Sequence, residues 1–193
     1  MKRVFASVLV MIGLALPVAA AEIGDDGLHK ESWMRETFLD LGEDIEEARA
    51  EGKRLALMVE QRGCIYCKKM HEEVYPDETI SNYIEENFFV VQLNLHGSRE
   101  MVDFDGDVRP EREMLRKWGM LFTPTVIFLP EEVAEGQTAP QAAVATMPGA
   151  FQKGTTLDMY TWVNEKRYAM DNDEDFQRYH ARRIQERAAE KEE

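Results

Sequence analysis

The stretch that most restricts the fold is Leu55 to Cys67, Leu-Ala-Leu-Met-Val-Glu-Gln-Arg-Gly followed by Cys64-Ile65-Tyr66-Cys67. An apolar run of strand length ends at Gly63 and delivers two cysteines, three apart, to a segment of helical polar composition beginning Lys68-Lys69-Met70-His71. The pattern predicts a strand, a turn and a helix N-terminus that carries a dithiol. Unpaired N–H groups and the positive end of the helix dipole favour a thiolate at Cys64 over one at Cys67, a turn further in. Cys64 is therefore the expected nucleophile, and Cys67 the thiol that resolves the mixed disulfide. Zinc knuckles and inert disulfides use the same spacing. Zinc usually takes four protein ligands, whereas these are the only two cysteines; His71 shares their helix, and His29, His96 and His180 are scattered. Redox chemistry is the favoured reading.

Lys2 and Arg3 precede an apolar stretch from Val4 to Leu16, then Pro17 and the small residues Ala19-Ala20-Ala21. This reads as a signal peptide over residues 1–21, too short and too poorly flanked for a good membrane span. The mature chain is thus expected to be exported into an oxidising compartment, where a dithiol stays reduced only if something feeds it electrons. The sequence carries 23 Lys+Arg against 37 Asp+Glu, a net charge of −14. Such a surface repels nucleic acid and anionic membrane.

Leu41, Ile45 and Ala48 sit at helical spacing before Gly52, which predicts a short amphipathic helix. Upstream, an arm over residues 22–40 holds Trp33, Phe38 and Leu39, expected to pack on the domain edge. Beyond the dithiol helix, Tyr75-Pro76-Asp77 marks a stop, and Ile80, Tyr83 and Ile84 begin another helical face closing near Asn87. Phe88 to Leu95 reads as a buried strand parallel to Leu55–Glu60, because a helical crossover separates them. Gly97 to Pro110 reads as a polar loop; its Asp103-Phe104-Asp105-Gly106-Asp107 run departs from calcium-loop spacing and is expected to be a solvated acidic loop. Glu111 to Trp118 is expected to be helical, with Gly119 as its stop.

Leu121 to Leu129 is a strand signal with Pro124 near its start, a residue that must open an edge or occupy a special turn. A hairpin connection is expected over Gln137–Pro140, leading to a strand over Ala142–Met147. Thr155 or Thr156 is expected to cap a helix carrying Leu157, Tyr160, Val163 and Tyr168, and Asp173 a second one with Phe176, Tyr179 and Ile184. The last ten residues are charged and expected to fray.

This order of elements, with Cys64-x-x-Cys67 and Thr123-Pro124-Thr125 before an apolar strand, resembles the thioredoxin fold. The expected fold class is α/β, a thioredoxin fold with a central mixed sheet flanked by helices. The expected domain covers 41–170, preceded by the arm and followed by a helical extension over 171–193. The resemblance implies a cis Pro124 facing the dithiol, with the Thr123 backbone offering strand-like hydrogen bonds to a substrate segment. The chain is more particularly similar to the periplasmic SoxW-type thioredoxins of the bacterial sulfur-oxidation (Sox) system. The similar stretches include Phe38-Leu39-Asp40-Leu41, Glu60 to His71, Val91-Gln92-Leu93-Asn94, Asp103-Phe104-Asp105-Gly106, Phe122-Thr123-Pro124-Thr125, Met147-Pro148-Gly149 and Phe176-Gln177-Arg178-Tyr179. That similarity implies an exported reductase of cysteine disulfides or persulfides, including those of Sox carrier proteins. Its electrons would come from a membrane donor of the CcdA or DsbD kind, and it needs no organic cofactor or metal.

Two departures matter. Ile65 replaces the proline that many relatives carry within the dithiol loop, and Met58 stands where ordinary thioredoxins have a buried aspartate. Glu60, two residues on, points to the same face but closer to the cysteines. As a buried carboxylate it would accept a proton at Cys67; as a partly exposed strand end it would do nothing there. Tyr66 reads either as part of the partner-binding surface or as packing against the loop, and Lys68 and Lys69 either as electrostatic support for the Cys64 thiolate or, more commonly, as exposed helix-surface lysines. The rival functions are a disulfide oxidase or isomerase, and a Cu(I) metallochaperone using the cysteines with Met58, Met70 or His71.

Overall fold

The computed structural model describes residues 22–170 and 174–190; the expected signal peptide and Asp173 lie outside them. A five-stranded sheet forms the centre, in the order β3 (Met34–Arg35), β5 (Phe88–Asn94), β4 (Arg54–Glu60), β8 (Thr125–Phe128), β9 (Ala145–Pro148). Its middle strand, β4, runs parallel to β5 and antiparallel to β8, which pairs antiparallel with β9. All seven residues of β4 are buried. Because side chains alternate across a strand, Ala56 and Met58 enter one core and Leu55, Leu57 and Val59 the other.

The second core is covered by α1 (Leu41–Ala50) and α4 (Glu111–Lys117), the first by α3 (Glu78–Asn87) and α6 (Lys153–Asn164). Asp40 caps α1 by accepting from the Gly42 and Glu43 amides, and Gly52 follows at φ 71°, a conformation that suits glycine. Phe88, Phe128 and Tyr160 meet edge to face with centroids 4.8 to 5.8 Å apart, contacts each worth about 0.5–1.5 kcal/mol beyond burial.

The N-terminal arm does more than cover an edge. A small antiparallel pair, β1 (Glu22–Ile23) and β2 (His29–Lys30), leads to β3 (Met34–Arg35), which joins the sheet parallel to β5. Trp33 enters one core and Leu39 the other, whereas Phe38 is 94% exposed and belongs to neither.

Several local expectations are corrected. The stretch 97–110 is not a plain loop: β6 (Glu100–Val102) and β7 (Val108–Pro110) form a hairpin. Nor is its acidic run all solvated, because Asp103 is buried and accepts from Trp118 Nε1 at 2.7 Å and the Ala139 amide at 2.9 Å. Lys117 Nζ takes Asp105 at 2.8 Å and Asp107 at 2.9 Å, so the carboxylates that suggest calcium already hold the protein's own donors. The connection before β9 contains a short helix, α5 (Ala139–Ala142), closed by a Thr138–Gln141 capping box. Helix α6 starts upstream of Thr155, with Gln152 at its N-cap. It ends before Tyr168, which lies in a 3₁₀ turn over Arg167–Ala169. Asp175 caps the last helix, α7 (Phe176–Ala189), and ion pairs of Arg182, Arg183 and Arg187 continue its order past Ile184. Among the described residues no helix is long and apolar enough to cross a membrane.

Candidate active site

Gly63, at φ 73°, turns the chain out of β4 so that Cys64 caps α2 (Ile65–Lys69). Helix α2 continues directly into a π-helical segment, Met70–Val74, where the Tyr75 amide donates to the Met70 carbonyl at 2.9 Å. Cys67, Met70, His71, Val74 and Tyr75 all face inward. Cys64 and Cys67 form a disulfide. Cys64 is half-buried, while Cys67 is only 2% exposed, so a partner can reach the first sulfur and not the second.

The Thr123–Pro124 peptide is cis. It lies against the disulfide, with the Thr123 hydroxyl donating to Cys64 Sγ at 3.4 Å and its carbonyl oxygen 3.5 Å from the same sulfur. The Cys67 amide also donates to Cys64 Sγ, at 3.0 Å. On reduction, both donors favour negative charge on that sulfur. Beside it a shallow depression of about 360 Å³ is lined by Tyr66, Phe122, Thr123, Pro148, Gly149 and Ala150. Tyr66 and Phe122, on its rim, are 58% and 66% exposed. Two exposed aromatic side chains thus flank the depression beside this sulfur.

The inner side of the helix, otherwise apolar, carries one polar cluster around His71. Glu60 is 1% exposed, which settles its placement in favour of a buried carboxylate. His71 Nε2 donates to its oxygens at 3.0 and 3.2 Å, and Gln92 Nε2 donates at 2.6 Å. The other imidazole nitrogen, Nδ1, donates to Glu31 of the arm at 2.7 Å. His29 stacks on the ring at 5.0 Å, and Tyr75 meets it edge-on at 5.2 Å. Burial pushes the imidazolium down, but the hydrogen bonds and charges of Glu31 and Glu60 outweigh it and raise His71 to about 9. Beside an ionised Glu60, His71 is therefore a cation at neutral pH.

Sequence reasoning missed this role, since it weighed His71 only as a metal ligand. A signal existed: Cys67, Met70, His71 and Val74 share one helical face, and a histidine on a buried face needs polar partners. Gln92, the polar residue inside an otherwise apolar strand, was the second clue. Met58 and Met70 point into the core, and the Phe151 amide donates to Met70 Sδ at 3.4 Å, which removes the soft donors a copper site would use. Among the described residues no cluster of three or more His, Cys, Asp or Glu is placed to hold a metal. Lys68 lies on the surface, 3.5 Å from Glu72, and Lys69 is likewise exposed.

A family model described as a thioredoxin-like domain matches residues 41–150. The chain belongs to this thioredoxin-like family. With its Cys64–Cys67 disulfide it is a thioredoxin-like thiol–disulfide oxidoreductase. Among solved structures it is similar to a thioredoxin-fold protein from Helicobacter pylori, at 18% identity and a TM-score of 0.53, covering 72% of this chain and 86% of that one. A thioredoxin from Thermus thermophilus is 22% identical over 64% of this chain and 83% of that one, with a TM-score of 0.49. A putative disulphide-isomerase from Bacteroides thetaiotaomicron is 19% identical over 73% and 95%, with a TM-score of 0.48. The first of these likenesses supports the fold. No curated protein sequence matches.

Proposed function

We propose that this protein is an exported, periplasmic thiol reductase acting on disulfides or persulfides of cysteines in other exported proteins. The observation that carries the reading is the asymmetry of the dithiol: a reachable Cys64 Sγ, bordered by an apolar rim and by cis Pro124, next to a Cys67 closed off from solvent. Thiolate Cys64 attacks a substrate sulfur and the released sulfur leaves as a thiolate. Cys67 then attacks Cys64, the mixed disulfide breaks, and both electrons of the dithiol have passed to the substrate. Tyr66 packs on the partner, the Thr123 backbone pairs with its chain, and Pro124 keeps that edge against the sulfur. Glu60 takes the Cys67 proton as that sulfur attacks.

The Sox-type resemblance favours Sox carrier proteins as substrates and a membrane donor of the CcdA or DsbD kind as the source of electrons. Export rests on the N-terminal pattern of Lys2-Arg3, apolar run and Ala19-Ala20-Ala21. Insulin reduction tests the chemistry. Cys64→Ser abolishes it, and Cys67→Ser traps substrates as mixed disulfides; trapping by Cys64→Ser alone would overturn the roles. Equilibration with glutathione buffers tests direction. A potential near the roughly −270 mV of thioredoxin supports a reductase, and one near the about −120 mV of the periplasmic oxidant DsbA refutes it.

A further inference from the structure

Resolution of the mixed disulfide poses a proton problem. Cys67 must lose its proton while a docked partner covers the Cys64 side, and Cys67 itself is only 2% exposed. Glu60, the acceptor in the reading above, is as deeply buried and has no surface of its own. A proton left on it must be balanced by one released where the protein meets water.

The imidazole of His71 spans that gap. It sits four residues after Cys67 on the same helix side, with Nε2 on Glu60 and Nδ1 on Glu31. Glu31 is the only one of the three to reach water: its side chain is 16% exposed, and it lines a cleft of about 720 Å³ between the arm and the chain after β5. This cleft, bordered by Lys30, His96 and Arg99, does not share a residue with the apolar depression beside Cys64. We propose that Glu31, His71 and Glu60 form a rear proton path, which exchanges the Cys67 proton with solvent in the arm cleft while the front of the dithiol is occupied. The proposal rests on the reductase reading.

The balance is simple. When Cys67 Sγ attacks Cys64 Sγ, its proton passes to Glu60, the Cys64–substrate bond breaks, and the substrate sulfur leaves with the electron pair. Protonated Glu60 no longer holds a positive charge on His71, so Nδ1 passes its proton to Glu31 and the cleft. The Glu60–His71 pair carries one proton before and after. Re-reduction by a dithiol runs the path backwards: Glu60 protonates the Cys67 thiolate, and a proton enters through Glu31. The groups facing the path are His29 on the ring face, Tyr75 at its edge, and Gln92 on Glu60; Gln92 in turn accepts from Lys30 at 2.6 Å. Gln92 fixes the Glu60 carboxylate, and Tyr75 shuts water out. The arm, through Glu31, is thereby part of the redox machinery and not an appendage.

The test uses Glu31→Gln in the full chain, with Asp25→Asn on the same cleft as control. Reduced protein is mixed with excess glutathione disulfide, and rapid alkylation follows decay of the mixed disulfide across pH. Glu31→Gln is expected to slow resolution at least about tenfold, below the roughly 10²–10⁴-fold of a group that transfers the proton directly. Its pH profile shifts, and formate, small enough for the cleft, restores the rate, while Asp25→Asn behaves as wild type. A wild-type rate and pH profile in Glu31→Gln overturns the path. So does a slow variant whose pH profile is unmoved and which formate does not rescue, because that is a structural defect. If wild-type protein fails to react with the disulfide at all, the reductase reading falls and the path with it.

Discussion

Two buried carboxylates in this protein each hold a histidine, and they are built for different ends. Glu60, at the end of β4, has His71 as its only cation in hydrogen-bond contact among the described residues. Asp158, buried on α6, accepts from His180 Nδ1 at 2.6 Å and from both terminal nitrogens of Arg187 at 2.7 and 2.9 Å. Thr155 even completes a hydroxyl–imidazole–carboxylate row with His180, at 3.1 Å. The guanidinium decides what that row is: it neutralises Asp158 permanently and pins α7 to α6. Glu60 has a partner that can give up its charge. A permanent cation makes a clamp, and a titrating one makes a site that can move a proton.

The largest expected effect removes the imidazole from each pair. His71→Leu leaves Glu60 buried without a cation and should cost about 3–5 kcal/mol, whereas His180→Leu leaves Arg187 in place and should cost roughly 1–2 kcal/mol. Urea unfolding midpoints measure both, and equal losses would break the comparison. Next comes pH. The folded state raises His71 from 6.5 to about 9. Its contribution, roughly 3 kcal/mol, is therefore complete below pH 6.5 and lost as pH climbs through 9. Glu31→Gln should flatten that alkaline limb in thermal melts, while Arg187→Gln should leave it unchanged.

A third carboxylate sharpens the contrast. Asp44, on α1, is buried with the Thr37 hydroxyl 3.3 Å away and other acids nearby. Burial, opposed by that hydroxyl and reinforced by Asp40, Glu47 and Glu43, pushes it up to about 7. Here the sign is reversed. Stability falls as pH rises from the ordinary aspartate range through 7, so Asp44→Asn should stabilise the protein at pH 8, by roughly 2 kcal/mol. A loss instead would mean that the charged form has a stabilising partner. The smallest effect is redox. Glu60→Gln removes a buried negative charge at the end of β4 and should move the dithiol potential toward the oxidising side by about 30 mV, equal to roughly 1.4 kcal/mol. Asp158→Asn should not move it, and glutathione equilibration measures both.

Much of the fold was legible because local chemistry and burial agree. The apolar runs at Leu55–Glu60 and Phe88–Leu95 became neighbouring parallel strands, in register from Arg54 with Phe88 to Glu60 with Asn94. Gly52, Gly63 and Gly119 stand at positive φ where the chain turns. Helix starts were less legible, since several residues near Thr155 and Asp175 can cap and neighbouring packing selects one. The hairpin around Asp105 escaped the sequence because its strands are three residues long and its anchor, Asp103, finds Trp118 and Ala139 only after folding.

By itself the sequence determined the dithiol, its place at a helix start and the strand that delivers it, because spacing, turn glycine and apolar runs are properties of consecutive residues. It also flagged Glu60, by parity along β4. Tertiary structure alone decided what Glu60 is. Its partners come from positions 71 and 92, and the carboxylate that completes the set, Glu31, comes from an arm that reads as a mere cover. Charge placement of this kind depends on through-space distance and on exclusion of water, and neither is written in residue order.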